Sequence, residues 1–188
     1  AKSLGNYEII GQTLDDAVGE AFDKVAKILE LGYPGGPKIE ILAKEGNPSA
    51  FNFPRPMIEK NNYNFSFSGL KTAVFYESKR IKEISTSQKA DIAASFQAAV
   101  ADTLLHKTRS ALQETGLKEL VIGGGVASNK YIREILVTGL SDKNIFFPPI
   151  ARCTDNGAMI AYAGSYYLNK ADEDLSLNIK PRWPLSEL

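Results

Sequence analysis

The sequence contains very little of the chemistry that disulfide scaffolds and metal centres require. Its 188 residues include one cysteine, Cys153, and one histidine, His106. One cysteine cannot form an internal disulfide, and one histidine excludes a histidine-rich metal site built by this chain alone. His106 lies in a predicted helix beside Lys107 and Arg109, where a surface histidine is the better interpretation. Cys153 has no histidine near it in sequence, so we do not interpret it as a nucleophile.

The chain also lacks an excess of charge and a long apolar run. Its 22 basic and 22 acidic residues cancel, so contact with a nucleic acid would have to come from a local patch. No apolar run is long enough to span a bilayer, and no secretory signal is present. With one cysteine, this pattern predicts a cytoplasmic protein in a reducing compartment. The first residues, from Ala1, read as if they entered mid-strand, so we expect part of a longer protein.

The hydrophobic spacing predicts an α/β protein. A strand is predicted at Asn6–Gly11, and buried strands are predicted in "KELVIGGG" and "NIFFPP". The predicted helices cover about 15–32, 38–44, 69–80, 88–115, 129–140 and 157–168, and the tail is predicted to be extended. The last third runs strand, glycines, helix, strand, helix, an order typical of parallel strands with a site at their carboxyl ends.

Three glycines end the first of these buried strands, in "LVIGGGVASN". Ser128 or Asn129 then caps a helix. Such a loop lets backbone N–H groups approach an anion. It matches neither a P-loop nor the dinucleotide fingerprint. A tight strand-to-helix turn is the alternative interpretation, and both stay open on this segment alone.

Asp155 precedes a helix of small residues in "CTDNGAMIAYAG". Thr154 or Asp155 can cap that helix, and an aspartate at this sheet edge can also hold a metal or a polarised substrate. The small residues would let the helix pack closely on the sheet. Elsewhere, Asp23 taken alone is best interpreted as a solvated partner of Lys27, and Ser68 as a helix N-cap.

Six separated motifs together resemble one family. They are "TLDDAVGEAFDKVAKIL", "YPGGP", "FPRPM", "FSFSGLKT", "GGGVASN" and "CTDNGAMIAYAG", and they occur in that order in the tRNA adenosine threonylcarbamoyltransferases, the TsaD/Gcp family. The tail "KPRWPL" is similar as well. The resemblance covers nearly the whole chain, but only about the C-terminal half of the family's full length.

The resemblance implies an α/β fold of the actin/Hsp70/sugar-kinase type, the ASKHA fold, in which two related lobes face a cleft. We expect residues 1–188 to form the second lobe, as a mixed sheet flanked by helices, with the N-terminal lobe largely missing. A helical insertion is expected at about 15–115. The helix and tail at 150–188 are expected to pack toward the missing lobe.

The resemblance also implies an activity and a site. Such enzymes transfer the threonylcarbamoyl group from threonylcarbamoyl-AMP to N6 of the adenosine 3′ of the anticodon, in tRNAs that read codons beginning with A (t6A modification). Asp155 is implied as the catalytic residue and as a ligand of one divalent metal, iron or zinc, whose histidine ligands lie in an H-x-E-G-H motif outside this chain. Substrate binding is implied for Asp23, Gly36, Glu40 and Asn129. The implied partners are tRNA, an inactive paralogous subunit (TsaB-like) and a P-loop ATPase (TsaE-like), with no membrane.

This chemistry needs alignment and charge neutralisation more than a covalent nucleophile, because the acceptor is an aryl amine and the donor a mixed anhydride. A metal at Asp155 would polarise the donor. Since the histidine motif is absent, we expect this chain alone to be inactive. Two alternatives stay open: a non-catalytic scaffold or docking lobe, and a phosphotransferase of the sugar-kinase or acetate-kinase type.

Overall fold

The computed structural model of the chain describes residues 1–59 and 61–170. The predicted extended tail lies outside these residues. Within them the chain is mostly helical. Its helices and strands are α1 (Val18–Ile28), α2 (Gly35–Ala43), α3 (Ser68–Arg80), α4 (Thr86–Thr115), β1 (Glu119–Val121), α5 (Lys130–Gly139), β2 (Asn144–Phe146) and α6 (Gly157–Ser165). Short 3-10 turns cover Gly125–Ser128, Ile150–Arg152 and Leu168–Lys170.

Helix α4 is the centre of the molecule. Ser85 and Gln88 form a capping box at its start, and Gly116 ends it in the left-handed region with φ 68°. Between Ile92 and Ala101 every residue is buried. The Phe96 ring meets the Phe22 ring of α1 edge to face, with centroids 5.0 Å apart. The remaining helices except α6 therefore pack around a helix whose middle is covered on all sides.

The sheet is smaller than expected. β1 and β2 are parallel, as predicted, in the register Glu119↔Asn144, Leu120↔Ile145 and Val121↔Phe146. In the described part of the chain these two strands form the whole sheet, where a mixed sheet was expected. The prediction that β1 is buried is wrong, since Val121 is 78% exposed. Only one face of this narrow sheet, that of Leu120 and Ile145, is packed on the core.

The N-terminal segment is not the predicted strand. Residues 7–11 have no regular secondary structure and pair with no strand in the described residues, and an isolated bridge joins Ser3 to Asn6. β-branched residues favour a strand, but a strand also needs a partner for its backbone groups. Just after this segment, a parallel bridge joins Thr13 to Phe65, and the N–H of Gln12 donates to Asn64 Oδ1 at 3.0 Å.

Helix α6 is shorter and more exposed than predicted. It ends at Ser165, and none of its residues is buried. Its small side chains do not pack against the sheet, so the predicted close contact is wrong for this structure. Ile160 and Tyr162 are each about two-thirds exposed, at 65% and 67%. Among the described residues, none of the helices combines the length and apolar character needed to cross a membrane.

Candidate functional site

A cavity of about 370 Å³ lies between the α1–α2 corner and the loops after the two strands. Its lining comes from four segments of the chain. These residues are Gly19, Phe22, Asp23, Tyr33, Pro34, Gly36, Pro37, Glu40, Gly125, Val126, Ser128, Asn129 and Thr154. Four of the five predicted site residues, Asp23, Gly36, Glu40 and Asn129, are thus brought to one cavity. The fifth, Asp155, is exposed and follows Thr154 at the edge of the cavity.

The corner between α1 and α2 is held by Asp23. Its Oδ1 accepts a hydrogen bond from the backbone N–H of Gly35 at 2.7 Å. The carboxylate therefore caps the first residue of α2. Asp23 is not the solvated partner of Lys27 that the sequence predicted. Gly35 is required here because a Cβ at this position would lie 2.6 Å from the Cα of Asp23. Gly36 differs, since a Cβ there meets no atom within 4 Å.

The start of α5 is satisfied by side chains of the protein itself. Asn129 Oδ1 accepts the N–H of Ile132 at 3.0 Å, and Glu40 Oε1 accepts the N–H of Lys130 at 2.9 Å. Asn129, not Ser128, is thus the cap. A carboxylate already occupies the positive end of the α5 dipole, where sequence reasoning placed an anionic ligand. This helix end does not favour a phosphate.

Behind Asn129 lies Gln97 of α4. The Nδ2 of Asn129 donates to Gln97 Oε1 at 2.7 Å, and the two residues are only 5% and 4% exposed. The amide of Asn129 is therefore fixed in orientation from both ends. Sequence reasoning did not select Gln97. The sequence did contain a signal for Gln97, because it is a single amide within "IAASFQAAVA". That run is too apolar for a surface helix, so its amide is expected to be buried.

The glycine loop faces the cavity with its backbone. Gly124 has φ 89°, a left-handed conformation in which glycine is favoured. Within the described residues, the N–H groups of Gly123 and Gly124 have no acceptor. A Cβ at Gly125 would lie 3.9 Å from Thr154 Cγ2, so this loop and the turn before Asp155 are in contact. Gly125, Val126 and Ser128 of this loop line the cavity, whereas Gly123 and Gly124 are not among its lining residues.

The turn before α6 is capped by Asn156. Its Oδ1 accepts the N–H of Met159 at 3.0 Å, so the prediction of a Thr154 or Asp155 cap is wrong. Asp155 is therefore not committed to the helix. Across residues 1–59 and 61–170, no three His, Cys, Asp or Glu side chains are grouped closely enough to hold a metal. The described residues thus do not form a metal site by themselves.

An acidic pair stabilises the arrangement of α1 and α3. Asp16 Oδ1 contacts Lys24 Nζ at 2.7 Å, and its Oδ2 lies 3.3 Å from Lys71 Nζ. The hydrogen bond from Lys24 lowers the pKa of Asp16 below its ordinary value, against the effect of burial, and Lys71 lowers it further. Asp15 accepts the N–H groups of Phe67 and Ser68. Asp15 thereby caps α3, the role predicted for Ser68.

The pKa of Asp15 results from opposing effects. Burial alone raises the pKa, but the hydrogen bonds from Ser66, Phe67 and Ser68 outweigh it and lower the pKa below its ordinary value. The hydrogen bonds to Asp15 and the lysine contacts of Asp16 therefore favour the ionised form of both carboxylates. They link the segment before α1 to the start of α3.

The residues that line the cavity are suited to bind hydroxyl groups and a flat ring. Its two carboxylates, Asp23 and Glu40, each use one oxygen in a backbone hydrogen bond, and no described residue donates to the other oxygen. Among the residues that the structure describes, no lysine or arginine lines the cavity. Apolar wall comes from Phe22, Val126 and the two prolines. Such a surface accepts hydrogen bonds from hydroxyl groups and covers a flat ring, but does not neutralise an anion.

Comparison with known proteins identifies the class to which these features belong. The TsaD family, described as tRNA N6-adenosine threonylcarbamoyltransferase, matches residues 1–162. The chain therefore belongs to the TsaD family. Membership implies the ASKHA fold, of which the described residues show a mostly helical part with a small parallel sheet. The family is one of transferases in tRNA t6A modification.

Individual relatives agree with this assignment. The chain is 50% identical over 188 residues to a tRNA N6-adenosine threonylcarbamoyltransferase of Syntrophotalea carbinolica, covering 98% of this chain and 55% of the relative. It is 45% identical over 193 residues to that of Acidovorax sp., covering 100% of this chain and 55% of the relative. The match in Chromobacterium violaceum is 46% over 193 residues, with 57% of the relative covered. The chain thus spans somewhat more than half the length of these relatives.

Proposed function

We propose that this chain provides the nucleotide-binding lobe of an enzyme that transfers the threonylcarbamoyl group from threonylcarbamoyl-AMP to N6 of the adenosine 3′ of the anticodon, in tRNAs reading codons that begin with A. The observation that carries the proposal is the cavity. It brings together Asp23, Gly36, Glu40 and Asn129, which are 106 positions apart at their extremes by residue number. Family membership supplies the reaction class.

The contacts within the cavity support one orientation of the adenylate. The free oxygens of Asp23 and Glu40 accept hydrogen bonds from ribose hydroxyls, and the apolar wall covers the base. Two carboxylates without a basic side chain repel a phosphate from this end. The phosphate and the carbamoyl group therefore lie toward the turn of Thr154, which lines the cavity, and the exposed Asp155 that follows it. This direction places the reacting end at the open side of the lobe.

Asp155 is proposed as the catalytic residue and as one ligand of a divalent metal, iron or zinc. Bound metal would supply Lewis-acid polarisation of the donor. The proposal requires histidine ligands from outside this chain, since the described residues contain no group of three ligands. What this chain contributes is an aspartate whose carboxylate is not used as a helix cap, because Asn156 has that role.

Residues 150–188 are proposed to pack toward the part of the relatives that this chain does not match. The support is α6, whose apolar side chains are exposed throughout its length. Residues 171–188 of this region lie outside the described ones. The helical segment at about 15–115 is proposed as the insertion of the second lobe. We further propose a cytoplasmic enzyme that acts on tRNA with a TsaB-like subunit and a TsaE-like ATPase.

The first experiment measures binding by the chain alone. Because Asp23, Gly36, Glu40 and Asn129 all belong to this chain, we expect AMP to bind in calorimetry, and guanosine monophosphate to bind more weakly. Asp23→Asn should weaken AMP binding, since it removes the charge that favours ribose hydroxyls. The control is Asp91→Asn, because Asp91 Oδ1 also accepts a backbone N–H at 2.7 Å, from Asn47, but lies outside the cavity.

The second experiment measures transfer. The chain is joined to the N-terminal part of a curated relative, and threonylcarbamoyladenosine in tRNA is measured by mass spectrometry. Product formation that Asp23→Asn reduces and Asp91→Asn leaves unchanged supports the transferase. AMP binding without product supports the scaffold instead. Nucleotide hydrolysis stimulated by a sugar or a carboxylic acid would support the phosphotransferase.

A further inference from the structure

Arg133 of α5 contacts two loops at once. Its Nε donates to the carbonyl of Ala127, in the glycine loop. Its Nη2 donates to the carbonyl of Pro148 at 2.7 Å and to Cys153 Sγ at 3.2 Å. The guanidinium also lies over the Phe147 ring, 4.6 Å from the centroid. One side chain thus joins the loop after β1 to the turn after β2.

These contacts are not those of an ordinary ion pair. No ion pair in residues 1–59 and 61–170 includes Arg133. Its donors go to two backbone carbonyls and a thiol, and its ring contact fixes the guanidinium plane. A rigid planar fork suits such a bridge, whereas a lysine would reach one acceptor at a time. The arrangement fixes backbone positions, which a surface charge does not.

The two loops that Arg133 joins are the two that face each other across the cavity edge. Ala127 lies between Val126 and Ser128, which line the cavity, and Cys153 precedes Thr154, which also lines it. Gly125 and Thr154 both line the cavity, and a Cβ at Gly125 would lie 3.9 Å from Thr154 Cγ2. Arg133 contacts both loops but is not itself among the lining residues. We propose that Arg133 is a positioning residue that fixes Thr154 and Asp155 relative to the glycine loop; this rests on the proposed function of the cavity.

Cys153 reports on this bridge directly. It is the only cysteine of the chain and is 4% exposed. A thiol reagent therefore labels one site, and only when the turn opens. Arg133→Met removes all the donors but keeps the aliphatic stem, and we expect labelling about tenfold faster. Arg133→Lys should give an intermediate rate. Rates are divided by the rate of the same variant in concentrated urea.

The chain offers a matched control in Arg109. Its Nη2 donates to the carbonyl of Gly139 at 2.8 Å, at the opposite end of α5 from the cavity. Arg109→Met should leave the labelling rate unchanged. Low urea concentrations separate local from global opening, because a local opening exposes little surface and its rate changes little with urea. Equal rates for Arg133→Met and the parent, or a rate that rises steeply with urea as in global unfolding, would overturn the bridge.

A second measurement tests positioning as distinct from stability. In the protein completed with the N-terminal part of a relative, Arg133→Met should lower kcat about tenfold or more and change KM less, because Asp155 is displaced while Asp23 and Glu40 are not. Unchanged kcat with faster Cys153 labelling refutes the positioning role. Absence of transfer in the parent protein counts against the proposed function alone, since labelling still decides the bridge.

Discussion

Two adjacent glycines at the start of α2 provide the sharpest test of the structure. A Cβ at Gly35 would lie 2.6 Å from the Cα of Asp23, 2.8 Å from Ala26 Cβ and 2.8 Å from the carbonyl oxygen of Phe22. Two of these three atoms are backbone, so α1 and α2 must separate to admit a methyl group. At Gly36 the same methyl group meets no atom within 4 Å, and the residue lines the cavity.

The two substitutions to alanine should therefore have opposite effects on stability. Gly35→Ala should destabilise the fold by about 1–3 kcal/mol, the range for overpacking. Gly36→Ala should stabilise it by about 0.5–1 kcal/mol, because alanine loses less entropy in a helix. At about 3 °C per kcal/mol for a chain of this size, the melting temperatures should differ by about 5–12 °C.

AMP binding should be weakened more by Gly36→Ala, the substitution that is expected to stabilise the fold. The methyl group of Gly36→Ala enters the space proposed for the adenylate, so AMP affinity should fall about tenfold or more. Thermal unfolding by circular dichroism and titration calorimetry with AMP are the two assays. Gly35→Ala as stable as the parent would refute the packing argument. Gly36→Ala with unchanged AMP affinity would remove Gly36 from the site.

Three further predictions concern single residues of the site and its support. Asn129→Ala should lower AMP affinity and should lower the free energy of unfolding in urea by about 1–3 kcal/mol, because it removes the α5 cap and the donor to Gln97. Asn129→Asp keeps the oxygen that caps α5. If Asn129→Asp is as unstable as Asn129→Ala, the capping argument is wrong. Asp16 has a lowered pKa, so its contribution to stability is full above the ordinary value of 3.8 and is lost as the pH falls below that value. The difference in unfolding free energy between the parent and Asp16→Asn should therefore shrink as the pH is lowered. A difference that stays constant with pH would refute this prediction. Asp155→Ala, in the protein completed with the N-terminal part of a relative, should reduce metal content by elemental analysis without changing the melting temperature, and retained metal would exclude Asp155 as a ligand.

The sequence predicted the helices well because their apolar spacing matches the burial they have. Phe22 and Val25 of α1 and Leu29, which follows its last residue, have helical spacing and are all buried, and α4 begins two residues before its predicted start. The predictions failed where an element depends on what covers it. Asn6–Gly11 has the composition of a strand but pairs with no strand among the described residues, and the described residues bury none of α6.

The site was predictable in part for a similar reason. Motif resemblance selects residues but does not say which of their atoms are already occupied. The cap by Asn129 is local and was one of two predicted from sequence, but no local pattern indicates that Glu40 also accepts a hydrogen bond at the start of α5, because it is 90 residues from its partner. Arg133 was not selected at all, since its acceptors are backbone carbonyls, and these leave no trace in the sequence.

The absence of basic side chains from the cavity lining has a consequence for turnover. A cavity that binds a nucleotide through its sugar and base, with no cation near the phosphate, should bind an acylated adenylate and AMP with similar affinity. Under the proposed function, no basic side chain of the described lining would hold AMP through the negative charge that it gains when the acyl group leaves. AMP would then leave this lobe without breaking an ion pair in the described lining.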